Sequence, residues 1–140
     1  MLFRSACSGQ VLSTPEGSLE EILDRLYSNV ELDEGMKGWL REGLESESIT
    51  AEKAEYFLGI SLPDSVTEGI ASEPVMSGSA FSICLLRVKE GTDTEALAKQ
   101  MRENVNSFKW VCTGVEKKNV RTVCAGNVIL LAVTHRLRFL

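Results

Sequence analysis

The sequence predicts an α+β domain built on a mixed, mostly antiparallel sheet of three to four strands. One long crossover helix at about residues 93–108 is expected on one face and the N-terminal helices on the other. Three observations predict this. Residues 80–88 (Ala-Phe-Ser-Ile-Cys-Leu-Leu-Arg-Val) and 128–134 (Val-Ile-Leu-Leu-Ala-Val-Thr) are apolar on both alternating faces, as in strands covered from both sides. Between them, Leu97, Met101, Val105 and Phe108 recur at helical intervals. A single helix covers one face, so the N-terminal portion must supply the second layer.

Length and charge set the frame for the individual elements. A chain of 140 residues with 44% hydrophobic content corresponds to about one domain, burying roughly two-thirds of its chain surface on folding. No stretch approaches the run of about 20 apolar residues that a spanning helix needs. Residues 18–134 read as that domain, with 1–17 as a tether or the remnant of an export segment and 135–140 as a tail. Residues 1–72 hold five Lys or Arg against fourteen Asp or Glu, a net −9; residues 73–140 hold ten against six, a net +4. The two halves attract. Lys117, Lys118 and Arg121 are too few, and too poor in interleaved aromatics, for a nucleic-acid surface. They read as solvated hairpin charge.

The first helix begins at Ser18, which stands three residues before Glu21 in capping-box spacing, and buries Leu19, Ile22, Leu23, Leu26 and Val30. A second is expected at 33–44, with Met36, Trp39, Leu40 and Leu44 inward and Gly35, Gly38 and Gly43 each weakening it by about 1 kcal/mol relative to Ala. A third has Thr50 as cap, Ala54, Phe57 and Leu58 as buried face, and Gly59 as its left-handed stop. Residues 65–71 are expected as an edge strand ahead of Pro74. Thr92 with Glu95 forms a second capping-box spacing. Residues 110–115 and 120–124 resume as strands, and Ala125-Gly126-Asn127 suits a tight turn into the last strand. Strand, helix and strand in that order predict a right-handed parallel pair.

Catalytic equipment is sparse. Cys84, Cys112 and Cys124 fall in predicted strands without Cys-x-x-Cys spacing or a nearby histidine, so a metal site has little to build on. They read as small buried hydrophobes, and a Cys84–Cys112 disulfide stays open. His135 is the single histidine, the one candidate for imidazole base chemistry, and it lies between the last strand and Arg136. Gly91 stands alone, so no phosphate loop is present. Glu42, Glu45, Glu47, Glu52 and Glu55 lack the ladder of a calcium loop and read as a solvated face. Trp39 and Trp110 suit either core packing or a partner contact.

Ala6-Cys7-Ser8-Gly9 has the small-residue character of a lipoprotein maturation site, and residues 10–17 form a polar tether. Export requires an apolar segment ahead of the cysteine, which residues 1–5, with Arg4 among them, do not supply. Read alone, these residues leave Cys7 without a role.

Glu20-Glu21-Ile22-Leu23-Asp24, Ala71-Ser72-Glu73-Pro74, residues 82–91 and residues 104–116, centred on Lys109-Trp110-Val111-Cys112, resemble an uncharacterised domain-of-unknown-function family of small bacterial lipoproteins from Gram-positive anaerobes. The likeness spans roughly residues 18–134, and the Lys-Trp-aliphatic-Cys strand is its most specific part. It implies a signal peptide, a lipidated cysteine, a short tether and one α+β domain, which makes Cys7 the lipidation candidate. The basic, apolar tail His135-Arg136-Leu137-Arg138-Phe139-Leu140 departs from the polar, acidic ending of that family. No catalytic residue carries over.

The resulting expectation is a non-catalytic extracytoplasmic domain, anchored to the cell membrane through lipid alone, that acts as an interaction or small-ligand binding module. Its partner is a protein or small ligand, not nucleic acid; Trp110, Lys109 and Trp39 are the contact candidates, and no cofactor or metal is implied. The alternative is a cytosolic regulatory or assembly protein without catalytic activity. An enzyme using Cys84, Cys112 or His135 is the third reading.

Overall fold

The structure, a computed structural model, describes residues 13–29, 43–75, 80–110 and 113–134. The expected helix at 33–44, with Met36, Trp39 and Leu40, lies outside these residues apart from its last positions, as do Val30, Cys7, Cys112 and His135.

Helix α1 (Leu19–Asn29) starts where the capping box places it: Glu21 N–H donates to Ser18 Oγ at 3.1 Å and Ser18 N–H to Glu21 Oε1 at 3.2 Å. Leu44 does not close a helix; it opens strand β1 (Leu44–Ser48). Helix α2 (Ala54–Leu58) follows a turn in which Lys53 N–H donates to the Thr50 carbonyl, so its N-cap is Lys53 and not Thr50. Its stop is as expected, with Gly59 at φ +79. A Cβ there would also collide with the backbone of Asn104 and Val105, so glycine both ends this helix and admits its neighbour.

Strand β2 (Val66–Pro74) is longer than expected and interior. Strand β3 (Ser82–Val88) leads through Gly91 to helix α3 (Thr94–Asn104), capped by Asp93, whose carboxylate accepts from Ala96 N–H at 3.1 Å. Thr92 instead closes the preceding turn onto the Lys89 carbonyl. The chain leaves helical geometry at Val105 (φ −61, ψ 136), four residues sooner than the periodicity implies. Val105 stays buried, but Phe108 no longer falls on the stripe and is 64% exposed. Residues 110–115 do not form a strand among the described residues; Trp110 bridges Thr113 alone, and Val115 N–H donates to the Ser107 carbonyl at 2.7 Å. A short 3-10 turn (Lys117–Asn119) then enters strand β4 (Val120–Ala125), which turns through Gly126-Asn127 into strand β5 (Val128–Val133).

The five strands form one sheet in the order β1-β2-β3-β5-β4, and every adjacent pair is antiparallel. The expected parallel pair is therefore not adjacent. The tight Gly126-Asn127 turn folds β5 straight back on β4, and β5, apolar on both faces, takes the doubly covered position beside β3. Strands β3 and β4 run parallel with β5 between them.

Alternation divides the core in two. Ile70, Ile83, Leu85 and Leu130 meet Leu19, Ile22, Leu23 and Leu26 of α1. Cys84, Leu86, Ile129 and Leu131 meet Phe57, Leu58, Leu97 and Met101 of α2 and α3. The N-terminal portion thus covers one face through α1, as expected, but α2 joins α3 on the other. Ile49, from which the chain leaves β1, faces that side and directs it there. The acidic half also contributes two strands, so it is woven into the sheet.

Candidate functional site

Lys109 and Trp110, two of the contact candidates, come together at the end of the sheet where β2 finishes and the loop after α3 returns; Trp39 lies outside the described residues. Strand β2 presents Glu73 on the α2 and α3 face, two residues beyond buried Ala71. The loop brings Lys109 Nζ to 2.6 Å from Glu73 Oε2, with the two side chains only 4% and 13% exposed. Helix α2 closes the third side. Lys109 Nζ donates to the Tyr56 carbonyl at 3.1 Å and lies 4.1 Å from the Tyr56 ring centroid, 5.2 Å from Phe57 and 5.3 Å from Trp110.

The ammonium is therefore neutralised by a carboxylate, hydrogen-bonded to a carbonyl and enclosed by aromatic faces, whose quadrupoles favour a cation. Tyr56 hydroxyl donates weakly to Glu73 Oε1 at 3.4 Å. Burial, followed by the Glu73 charge, pushes the Tyr56 hydroxyl above its usual range. Trp110 Nε1 is buried without a hydrogen-bond partner. The indole serves as a wall of this enclosure.

Cys84 lies beneath the same cluster, with its Sγ 3.7 Å from Ser82 Oγ and 4.0 Å from the Phe57 carbonyl. Burial pushes its thiol up to about 12, and the Lys109 charge opposes this only in part. At neutral pH it is a protonated thiol without nucleophilic character. Cys84 is a free, buried thiol, so the Cys84–Cys112 bridge is not formed. Cys124 donates to the Thr94 carbonyl at 3.7 Å.

The rim of the cluster differs in kind from its interior. The large hydrophobic side chains exposed among the described residues are Tyr56, Val75 and Phe108. Tyr56 forms a wall of the Lys109 enclosure, Val75 follows Glu73 by two residues, and Phe108 precedes Lys109. Phe108 lies over Gly114, where a Cβ would collide with its ring.

Sequence reasoning reached Lys109 and Trp110 but missed Glu73 and Tyr56. The available signal was a lone carboxylate in an otherwise small and apolar strand segment, Ile-Ala-Ser-Glu-Pro. Two clefts lie elsewhere. One, about 540 Å³, runs beside α1 between Thr14, Pro15, Ile22 and Arg25. The other, about 580 Å³, lies between Lys89, Thr92, Thr94 and the Gly126-Asn127 turn. Among the described residues no group of three or more His, Cys, Asp or Glu is placed to hold a metal ion, and no helix is long and apolar enough to cross a membrane. Comparison with protein-family models, curated proteins and solved structures gives no match for this chain.

Proposed function

We propose that this chain is a non-catalytic, extracytoplasmic, lipoprotein-like domain that works as a protein-interaction module, with the rim around the Lys109–Glu73 pair as its contact surface. One observation carries the reading: the exposed side chains of Tyr56, Val75 and Phe108 belong to, or lie within two residues of, a single cluster whose reactive groups are consumed internally. Lys109 is bound to Glu73, the Cys84 thiol is buried and protonated, and Trp110 forms an interior wall. Exposed aromatic and aliphatic side chains around a rigid centre suit a protein partner better than an enclosed small ligand.

Photoreactive residues placed at Val75 and Phe108 in cells test the surface, with exposed Lys89 near the opposite end of β3 as control. Both rim positions are expected to give one discrete adduct that Lys89 does not give. Equal labelling at all three positions, or none at the rim, overturns the assignment.

Tethering through Cys7 is supported by the resemblance alone. A clickable fatty acid fed to cells expressing the gene with its native upstream sequence is expected to label the protein, and Cys7→Ser is expected to abolish the label. The second reading, a cytosolic regulatory or assembly protein, is favoured by the free thiol of Cys84, since oxidising compartments favour pairing. Fractionation separates the two: protein found only in the cytosol supports the second.

A further inference from the structure

Strand β1 pairs with β2 on one side, and no described strand pairs with its outer side. It is also the most acidic strand. Glu45 and Glu47 share the face occupied by Ile49, while Leu44 lies on the α1 face. Glu47 has Lys53 at 3.0 Å. Glu45 has no basic partner among the described residues and stands directly opposite Glu73 in the ladder, an arrangement in which like charges repel. An edge of this kind resists neutral and acidic strands. It admits a strand bearing cations at alternate positions.

Leu86-Arg87-Val88-Lys89 has this alternation but is already paired within the sheet through Arg87; outside the paired strands the chain contains one such segment. In Arg136-Leu137-Arg138-Phe139 the arginines alternate with apolar residues, so in extended form they share one face and Leu137 and Phe139 the other. Set antiparallel to β1, with Arg136 opposite Glu47 and Arg138 opposite Glu45, the segment places Phe139 opposite Leu44. Charge and apolarity then match on both faces at once. The parallel setting places Phe139 against Ser48 and loses that match.

Reach excludes the segment of the same copy. Ser46, Ser72, Ile83 and Ala132 stand in one row across β1, β2, β3 and β5, so the outer side of β1 is four strand spacings from β5, about 19 Å. The four residues from Thr134 to Arg138 span at most about 14 Å.

We propose that residues 136–139 of a second copy add as an antiparallel strand to the β1 edge, making this edge a self-association site read by charge. The proposal is independent of the rim around Lys109. The test is light scattering and sedimentation of the full chain over a concentration series at low and high salt.

Association is expected at low salt and should weaken as salt rises. Glu45→Lys with Glu47→Lys, and separately Arg136→Glu with Arg138→Glu, should each weaken it by at least about tenfold. Mixing the two variants restores opposite charge at both contacts and should restore association. The tail variant leaves every described side chain intact, so loss of fold cannot mimic its effect. A wild-type chain that stays monomeric at low salt overturns the proposal. So does association that persists in the tail variant, and so does a mixture that fails to associate.

Discussion

The two faces of the sheet are closed by different means. On the α1 face, Leu19, Ile22, Leu23 and Leu26 cover Ile70, Ile83, Leu85 and Leu130, and the buried polar contact is a neutral hydroxyl pair, Tyr27 to Ser72 Oγ at 2.8 Å. On the other face the same kind of apolar packing surrounds an ion pair, Lys109 with Glu73. An apolar contact loses stability roughly in proportion to what is removed. A buried ion pair behaves differently: loss of one partner leaves a desolvated charge, whereas loss of both removes the problem. The α1 face should therefore respond to mutation side chain by side chain, and the Lys109 cluster as a unit.

The largest expected effect breaks that unit. Lys109→Met keeps the aliphatic stem but strands the Glu73 carboxylate, and should cost about 3–5 kcal/mol in urea unfolding. Adding Glu73→Leu should recover most of the loss, giving a coupling of at least about 2 kcal/mol. Leu23→Ala on the α1 face should cost about 2–5 kcal/mol by cavity formation. It should add to Lys109→Met within about 0.5 kcal/mol, because the two sites share no partner. A double variant Lys109→Met, Glu73→Leu as unstable as Lys109→Met alone would show that the pair is not a coupled element.

The same contrast explains what the sequence disclosed. Helix α1 was legible because its cap and its apolar stripe are local patterns, set by Ser18, Glu21 and the residues that follow. Strands β3 and β5 were legible because both of their faces are apolar. Gly59 and Gly126 marked a stop and a turn because the backbone takes φ +79 and +59 there. Strand β1 was not legible, since Leu-Glu-Ser-Glu-Ser has little apolar alternation, and its extended form depends on pairing with β2. The early exit from α3 at Val105 was hidden for a related reason. The Val115 to Ser107 hydrogen bond that closes the following loop joins residues with no shared local pattern.

The cluster was half legible. Lys109 and Trp110 stood out as a motif, but Glu73 lies 36 positions away in sequence from Lys109. Tyr56 is farther still. Only the β2–β3 pairing and the return of the chain after α3 bring them together. Periodicity reports which face a residue occupies, and not which charged residue meets it there.

A smaller effect, graded by pH, distinguishes the faces again. Burial raises the Cys84 thiol from 9.0 to about 12 on the ion-pair face, and burial raises the Tyr27 hydroxyl above its ordinary 10.0 on the α1 face. In each case the unfolded chain releases its proton first. The native state then holds more protons than the unfolded state, so stability falls as pH rises. The decline should begin near pH 9 with a slope of about 1.4 kcal/mol per pH unit and steepen above pH 10 as Tyr27 joins. Cys84→Ala should flatten the first part and Tyr27→Phe the second, as read from urea midpoints between pH 8 and 11. A curve unchanged by Cys84→Ala would show that this thiol titrates alike in both states.

The smallest effect concerns how α1 is held. Among the described residues one helix covers its face, so its register on β2 and β3 depends on where it starts, and the reciprocal Ser18 and Glu21 hydrogen bonds fix that start. The Ser18 amide, which donates to the Glu21 carboxylate, and after it the Ser18 hydroxyl also hold the Glu21 carboxyl below its usual range. Ser18→Ala removes an acceptor for the Glu21 amide and should cost about 1 kcal/mol. Ser18→Asp retains an acceptor and should restore most of it. The loss should fall on amide exchange in the first turn of α1 more than on residues of α3, because α3 has its own cap in Asp93 and packs on the opposite face. Equal acceleration of exchange in both helices would mean that the two layers open together, and the independence of the faces would fail.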